Sequence, residues 1–261
     1  MKFFKYQALG NDFILIDNRK NVFDAKPEYV SFLCNRRFGI GADGLMLVEN
    51  CDDADFKMQF FNSDGSAATM CGNGSRCIVA FARKLGIFKD KVIFTSGAGK
   101  HSGIVLSENE NTLEIKVKIT DVNQIVCGNG YYFINTGVPH CVIFTDSIND
   151  VDINVEGKKW RHSPLFPEGA NVNFVEICDN NRLKLATFER GVEGETLACG
   201  TGATAAAIAV SDKLQNGVKS YEIEAKGGEM KISFDTDKKQ KKSFVNIWLQ
   251  GAATLVFEGI I

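Results

Sequence analysis

Alternation of apolar and polar residues is the dominant signal along this chain. In TLEIKVKIT (112–120), Leu113, Ile115, Val117 and Ile119 point one way and mostly charged residues the other, the period of a half-buried strand. FKMQFF (56–61), RLKLATF (182–188), EMKISF (229–234) and FVNIWL (244–249) alternate in the same manner. FILID (13–17), KVIFTS (91–96), YYFIN (131–135), CVIFT (141–145) and NFVEI (173–177) are shorter apolar runs, bounded by Asn, Gly, Asp or Pro. The pattern predicts a chain made mostly of strands and turns. The basic run DKKQKK (237–242) reads as a solvated hairpin tip.

Helical patterns are few. PEYVSFLCNRR (27–37) has Pro27 in a first turn and Val30, Leu33 and Cys34 on one face. SRCIVAFARKLG (75–86) stops at Gly86 after Lys84. TGATAAAIAVSDKL (201–214) carries no charge up to Val210, and a helix apolar almost all round must be buried on several sides. In a strand-rich half-chain this predicts a curved sheet wrapped around one central helix.

Both buried helices follow the same short signature. TMCGNGSRC spans 69–77 and LACGTGATA spans 197–205, with cysteines 199 − 71 = 128 residues apart. Phe60-Phe61-Asn62 precedes Cys71 at the spacing with which Phe188-Glu189-Arg190 precedes Cys199. Further upstream, the turn and strand of LGNDFILID at Gly10 reappear as TGVPHCVIFT at Gly137. The halves therefore read as an internal duplication.

Composition narrows the chemistry. Among 261 residues, 30 basic side chains nearly balance 32 acidic ones, which leaves no electrostatic footprint for nucleic acid or an anionic membrane. No stretch reads as a signal peptide or membrane span, so a cytoplasmic protein is expected. Eight cysteines are too sparse for a disulfide framework, and His101, His140 and His162 are too scattered for a zinc site, so no metal is expected. Cys34, Cys51, Cys77, Cys127, Cys141 and Cys178 read as small buried hydrophobes.

Cys71 and Cys199 read differently. Glycines beside each remove side chains where a ligand would approach the backbone. The first turn of a helix offers N–H groups without intrahelical partners and a partial positive charge, which suits a carboxylate. The same field lowers a thiol pKa below its ordinary value of about 8.5. Two such turns facing one cleft suit inversion at a carbon beside a carboxylate: a thiolate removes the α-proton from one face and a thiol returns a proton to the other. This is cofactor-independent racemase or epimerase chemistry. A redox disulfide between the two cysteines is a rival reading.

GNDF at 10, GADG at 41, FFNSDGSAATMCGNGSRC from 60, GVPH at 137, EGANVNFVE from 168 and ERGVEGETLACGTGA from 189 together resemble the diaminopimelate epimerases over essentially the whole chain. The resemblance implies interconversion of LL- and meso-diaminopimelate, in lysine and peptidoglycan precursor synthesis, without a cofactor. It implies Cys71 and Cys199 as the acid/base pair and Gly72, Asn73, Gly200 and Thr201 as contacts to the reacting carboxylate. Asn11, Asn62, Asn171, Glu189 and Arg190 match further substrate positions, and His140 a supporting one. The implied fold is β-rich α/β: two pseudo-symmetric domains, each a barrel-like, mostly antiparallel sheet around a central helix, with the active site between them. Its halves are 1–119 plus 250–261 and 120–249, and the family suggests a homodimer.

Two positions depart from the family pattern. Val138 stands where an asparagine is common, and Gly44 where some members have glutamine. A racemase of another amino acid (proline- or histidine-type) and a non-catalytic amino-acid-binding protein are the alternatives.

Overall fold

The computed structural model describes residues 1–179, 181–237 and 242–261. Contacts divide the chain into two units, Met1–Val117 with Gly251–Ile261, and Lys118–Gln250. Of the basic run read as a hairpin tip, residues 238–241 lie outside the described residues.

Unit 1 contains β1 (Lys2–Ala8), β2 (Asn11–Asp17), α1 (Pro27–Cys34), β3 (Gly44–Glu49), β4 (Phe56–Asn62), β5 (Ala67–Ala68), α2 (Gly72–Lys84), β6 (Lys91–Ser96), β7 (Gly99–Asn109) and β8 (Thr112–Lys118). Unit 2 contains β9 (Ile125–Cys127), β10 (Tyr132–Asn135), β11 (Pro139–Phe144), α3 (Ile153–Arg161), β12 (Asn171–Ile177), β13 (Arg182–Glu189), β14 (Gly194–Thr196), α4 (Gly200–Leu214), β15 (Ser220–Ala225) and β16 (Gly228–Thr236). The long β17 (Phe244–Ile260) gives its first residues to unit 2 and its last to unit 1.

In unit 1 the strands β1-β2-β3-β4-β6-β7-β8-β17 pair in sequence, and β17 returns to β1, closing an eight-stranded barrel. Only β2–β3 and β4–β6 are parallel. Unit 2 repeats the plan: β10-β11-β12-β13-β15-β16-β17, with β11–β12 and β13–β15 parallel. Its ring closes through the segment carrying Ile119, Val122 and β9, which bonds β17 on one side and β10 on the other. The expected duplication is thus present as matched strand order and matched parallel pairings.

Each barrel holds the helix that starts at its cysteine. Every residue of α2 from Gly72 to Ala82 is buried, against β1, β2, β3 and β7. In α4, Gly200 and Gly202–Ser211 are buried, against strands β10 to β13, β15 and β16. The run of alanines at 205–207 leaves room for strands on all sides, while Ile208 and Val210 supply about 1.5–3 kcal/mol each on full burial.

Three expectations need correction. A fourth helix, α3, was not legible: its sequence INVEGKKWR buries only Ile153 and Gly157 and has no apolar stripe. It is started instead by Asp152, whose carboxylate accepts from Asn154 and Val155 N–H at 3.1 Å. Cys51 is only partly buried and Cys127 and Cys178 are exposed, because they sit just beyond or at the ends of strands, where side chains leave the sheet. Cys34, Cys77 and Cys141 are buried as expected. Finally, the sequence spacing aligned Asn62 with Arg190, but sheet register aligns it with Glu189. Gly44 faces Asn62 in unit 1; the equivalent Asn171 is one residue before the Val172–Phe188 pair of the β12–β13 ladder, a register that, continued by one residue, matches it to Glu189. The displacement is 189 − 62 = 127 there and 128 at the cysteines, so the intervening hairpin is one residue longer in unit 2. Among the described residues no helix is long and apolar enough to cross a membrane.

Candidate functional site

The Cys71 turn is built from three segments of unit 1. Cys71 is the N-cap of α2, with extended backbone. Its Sγ lies 3.5 Å from Asn11 Oδ1, and Asn73 Nδ2 approaches the same oxygen at 3.4 Å. Asn11 is held from behind, its Nδ2 donating to Asp43 Oδ2 at 2.6 Å. Asp43 in turn bonds Arg36 (2.9 Å), and Arg36 bridges to Asp12 (2.6 Å), which also pairs with the buried Lys5 (2.8 Å). This explains why GNDF and GADG matter locally: their loops are tied together, with Asp43 N–H donating to Asp12 O at 2.9 Å. Asn62 stands at the exposed end of β4, its amide donating to Ser66 Oγ at 3.1 Å.

Under the turn lies Arg76, which is fully buried. It donates to Asn73 Oδ1 (2.9 Å), Gly72 O (3.3 Å) and Ala252 O (3.5 Å). Burial pushes its pKa down, while the thiols of Cys77 and Cys71 and the Glu114 carboxylate act to raise it. A guanidinium does not lose its proton in a protein, so a fixed positive charge sits beneath the Cys71 turn.

The Cys199 turn in unit 2 is made otherwise. Cys199 caps α4 directly, Sγ accepting from Gly202 N–H at 3.4 Å and lying 3.4 Å from Thr201 Oγ1. Thr136 Oγ1 donates to Thr201 O at 3.0 Å, tying the turn to the TGVPH loop, where Gly137 has a left-handed φ of 107°. Asn171 Oδ1 accepts from Arg190 N–H at 2.8 Å, and Arg190 Nη1 donates to Glu168 O at 3.1 Å. Glu189 ends β13 beside Arg190. His140 is fully buried, with Nδ1 3.0 Å from Asn173 Nδ2. Desolvation, with the Arg190 charge adding to it against the Asn173 hydrogen bond, pushes its pKa down to about 3. Asn11, Cys71 and Asn73 thus form one cluster in unit 1; Cys199 with Thr201, and Asn171 with Arg190, form contacts in unit 2.

Asp43, Arg76, Thr136, Asn173 and Thr187 were missed as site-forming residues. All but Thr187 lie inside motifs that the sequence displays (GADG, CGNGSRC, TGVPHCVIFT, NVNF), but a motif does not show which of its polar side chains turn inward. The buried thiols away from the turns are pushed up by burial, Cys34 to about 11 and Cys141 to about 12. Cavities of about 110 Å³ beside Cys178 and Glu222, and about 70 Å³ beside Tyr6 and Arg83, are bordered by neither cysteine turn. Gly44 lies against the strand carrying Asn62: a Cβ there would come within 2.6 Å of Phe61 O, so the glutamine seen in some family members does not fit this backbone without a shift.

Two helix-enclosing barrels with matched topology define the fold shared by several solved proteins of low sequence identity. A Bacillus anthracis phenazine biosynthesis protein of the PhzF family superposes with a TM-score of 0.76 at 15% identity, covering 100% of this chain and 99% of that one. A probable proline racemase from Agrobacterium radiobacter K84 gives 0.72 at 13% identity, covering 100% and 92%. Sequence narrows the class to one family. The diaminopimelate epimerase profile matches residues 3–125 and 132–256. The diaminopimelate epimerase of Flavobacterium psychrophilum is 45% identical over 263 residues, spanning 100% of both chains. The chain belongs to the diaminopimelate epimerase family.

Proposed function

We propose that this chain is an isomerase of lysine biosynthesis that interconverts LL- and meso-diaminopimelate, using Cys71 and Cys199 as a two-base pair. The observation that carries the reading is the repeated construction: each barrel encloses one helix, and each helix begins at a cysteine followed by glycine. Family membership supplies the substrate, and matched chemistry at two helix starts supplies the reaction. One thiolate takes the α-proton, its sulfur becoming a thiol, and the electron pair spreads into the α-carboxylate as an enediolate. The other thiol gives its proton to the opposite face and becomes a thiolate. Configuration inverts and no oxidant or reductant is consumed.

The N–H groups of Gly72-Asn73 and Gly200-Thr201 are suited to the charge that grows on the carboxylate. Arg190 offers a planar fork for the distal carboxylate and Glu189 a partner for an ammonium. Asn11, Asn62 and Asn171 supply fixed amide contacts, with His140 in support. Val138 removes one hydrogen bond to the far end of the substrate, costing about 0.5–1.5 kcal/mol of recognition. The reading includes a cytoplasmic homodimer with a free amino acid as its small-molecule substrate. Incubating the reduced protein with LL-diaminopimelate in deuterated water tests it: α-deuterium appears in newly formed meso product. Folded protein that exchanges no α-hydrogen of diaminopimelate, or that exchanges proline instead, overturns it.

A further inference from the structure

The hairpin that carries Arg190 is one residue longer than its counterpart in unit 1, and its turn is held differently. In unit 1, Gly65 N–H closes the turn onto Asn62 O at 3.0 Å; in unit 2, Glu193 N–H closes it onto Glu189 O at 2.8 Å. Register gives the same match: Gly65 lies two residues before Ala67, which faces Phe61, and Glu193 two before Glu195, which faces Phe188. Both have left-handed backbone, with φ of 87° and 56°. Glycine adopts that conformation freely, whereas a residue with a Cβ does so at a cost. Unit 2 accepts that cost to place a carboxylate at the turn, and such strain points to use of the side chain.

The Glu193 carboxylate reaches the last residue of α3. Its Oε1 accepts from Arg161 Nε at 3.1 Å and from Gly191 N–H at 3.2 Å, and its Oε2 lies 3.4 Å from His162 Nε2. The Arg161 side chain is only 17% exposed, so the pair is better shielded than an ordinary surface ion pair. Its guanidinium lies across the bare backbone of Gly169, where a Cβ would come within 1.7 Å of Nη1. The rest of α3 supports the same hairpin: a Cβ on Gly157 would come within 2.4 Å of Phe188 Cβ, and Asn154 Oδ1 accepts from Glu195 N–H at 3.1 Å. In unit 1 the turn instead rests bare on α1, where a Cβ on Gly65 would stand 2.1 Å from Pro27 O.

Arg190 stands between the two contacts of Arg161. The residue after it, Gly191, is tied through Glu193 to the Arg161 guanidinium. Its own Nη1 donates to Glu168 O at 3.1 Å, beside the Gly169 that Arg161 covers, and its N–H donates to Asn171 Oδ1 at 2.8 Å. We infer that Arg161 is a positioning residue: through Glu193 on one side and the Glu168-Gly169 backbone on the other, it fixes Arg190 for the distal carboxylate of the substrate. An arginine ordered in advance loses less side-chain freedom when the ligand binds. The inference rests on the reading of Arg190 as a substrate contact.

Arg161→Met tests it from a different element than the one that carries Arg190. KM for diaminopimelate is expected to rise about 3–10-fold, the scale of ordering one long side chain at the moment of binding. The kcat for α-deuterium exchange should move by less than about twofold, because the lost contact is made equally in the ground and transition states. Hydrogen exchange at 190–194 should quicken in the same variant. In an Arg190→Met background, where KM is already raised, Arg161→Met should add nothing. Glu193→Gly, which the left-handed backbone accepts without strain, removes the same clasp and carries the test should Arg161→Met fail to fold. Unchanged protection at 190–194 in these variants overturns the inference, as does a KM effect that persists at full size without Arg190. Folded wild-type protein that exchanges no α-hydrogen, while Arg161→Met still loosens 190–194, upholds the clasp and removes the proposed function instead.

Discussion

The two barrels share a strand order, two parallel pairings and a helix begun by cysteine, yet they surround those cysteines with different chemistry. Beneath Cys71 lies a buried guanidinium, Arg76, while Phe13, Met46 and Phe60 pack apolar beside the helix start. In unit 2 the residue equivalent to Arg76 is Thr204 (204 − 76 = 128), whose hydroxyl donates to Gly200 O at 3.0 Å. Here the polar groups lie on the strands, as His140, Asn173 and Thr187. The difference teaches that duplication preserved the scaffold that places each thiol and left the electrostatics of each thiol to be set separately. A fixed positive charge favours thiolate at Cys71. At Cys199 the nearest field is that of its own helix start, where Gly202 N–H points at the sulfur.

The strongest way to break the comparison is to remove the thiols. Cys71→Ala and Cys199→Ala are each expected to lower epimerisation by about 10²–10⁴-fold or more, the contribution of a positioned acid or base. Product formation and α-deuterium incorporation, followed together, measure it. Full activity in either variant would sink the two-base mechanism for both units.

Arg76 comes next. Arg76→Met removes the charge beneath Cys71 and the donors to Asn73 Oδ1 and Gly72 O. Without that charge the Cys71 thiol is harder to ionise, so the acid limb of kcat/KM moves to higher pH and activity at neutral pH falls roughly tenfold, the effect of about one pKa unit. Arg76→Lys keeps the charge and is expected to restore the limb while leaving the Asn73 contact poorer. A pH profile unchanged in Arg76→Met would show that Arg76 serves packing alone.

How much of this was legible in the chain follows from which interactions are periodic. Strands such as 112–120 and the buried helix at 200–214 were visible because apolar alternation and an uncharged stretch report burial directly. The duplicated cysteine turns were visible because glycine is needed at fixed offsets from the helix start. The helix Ile153–Arg161 was hidden because a capping carboxylate and a few contacts hold it, not an apolar stripe. Arg76, Asn173 and Thr187 were hidden for a related reason: a polar residue on a strand or helix gives no sign of facing inward until its partners are known. The single-residue shift between Asn62 and Glu189 was lost because spacing was counted from the cysteine, across a hairpin whose length differs between the halves.

Glycine contacts at the two helix starts give a finer test. Gly202→Ala drives a methyl toward Asn173 Oδ1, at 2.2 Å, and that oxygen is held by Thr187 while its amide is fixed on the other side. Overpacking there is expected to cost about 1–3 kcal/mol. Gly74→Ala meets Met46 Cε, the far end of a flexible side chain, and should cost less. Chemical denaturation of both variants checks the order. A Gly74→Ala loss larger than that of Gly202→Ala would mean that the amide network is looser than its hydrogen bonds imply.

The smallest expected difference lies in how acid acts on each unit. In unit 1, burial of Asp12 would raise its pKa, but hydrogen bonds and charge from Arg36 and Lys5 prevail and lower it from 3.8 to about 2. A depressed carboxylate stabilises the fold above 3.8, and that contribution is lost as pH falls toward 2. Screening at this partly exposed pair holds it to about 1–2 kcal/mol. In unit 2, His140 stays neutral down to about 3 while the unfolded chain takes up a proton near 6.5. Its neutral burial therefore costs nothing above 6.5, and the fold loses stability as pH falls from 6.5 toward 3, by about 2 kcal/mol at pH 5. The two effects occupy different windows, so acid should weaken unit 2 first. Hydrogen exchange of β11 and β12 against β2 and β3, followed from about pH 7 to 2.5, reads the order. In His140→Gln the early loss in unit 2 should disappear while the later loss in unit 1 remains. Equal loosening of both units above pH 5 would place the acid sensitivity elsewhere than in this imidazole.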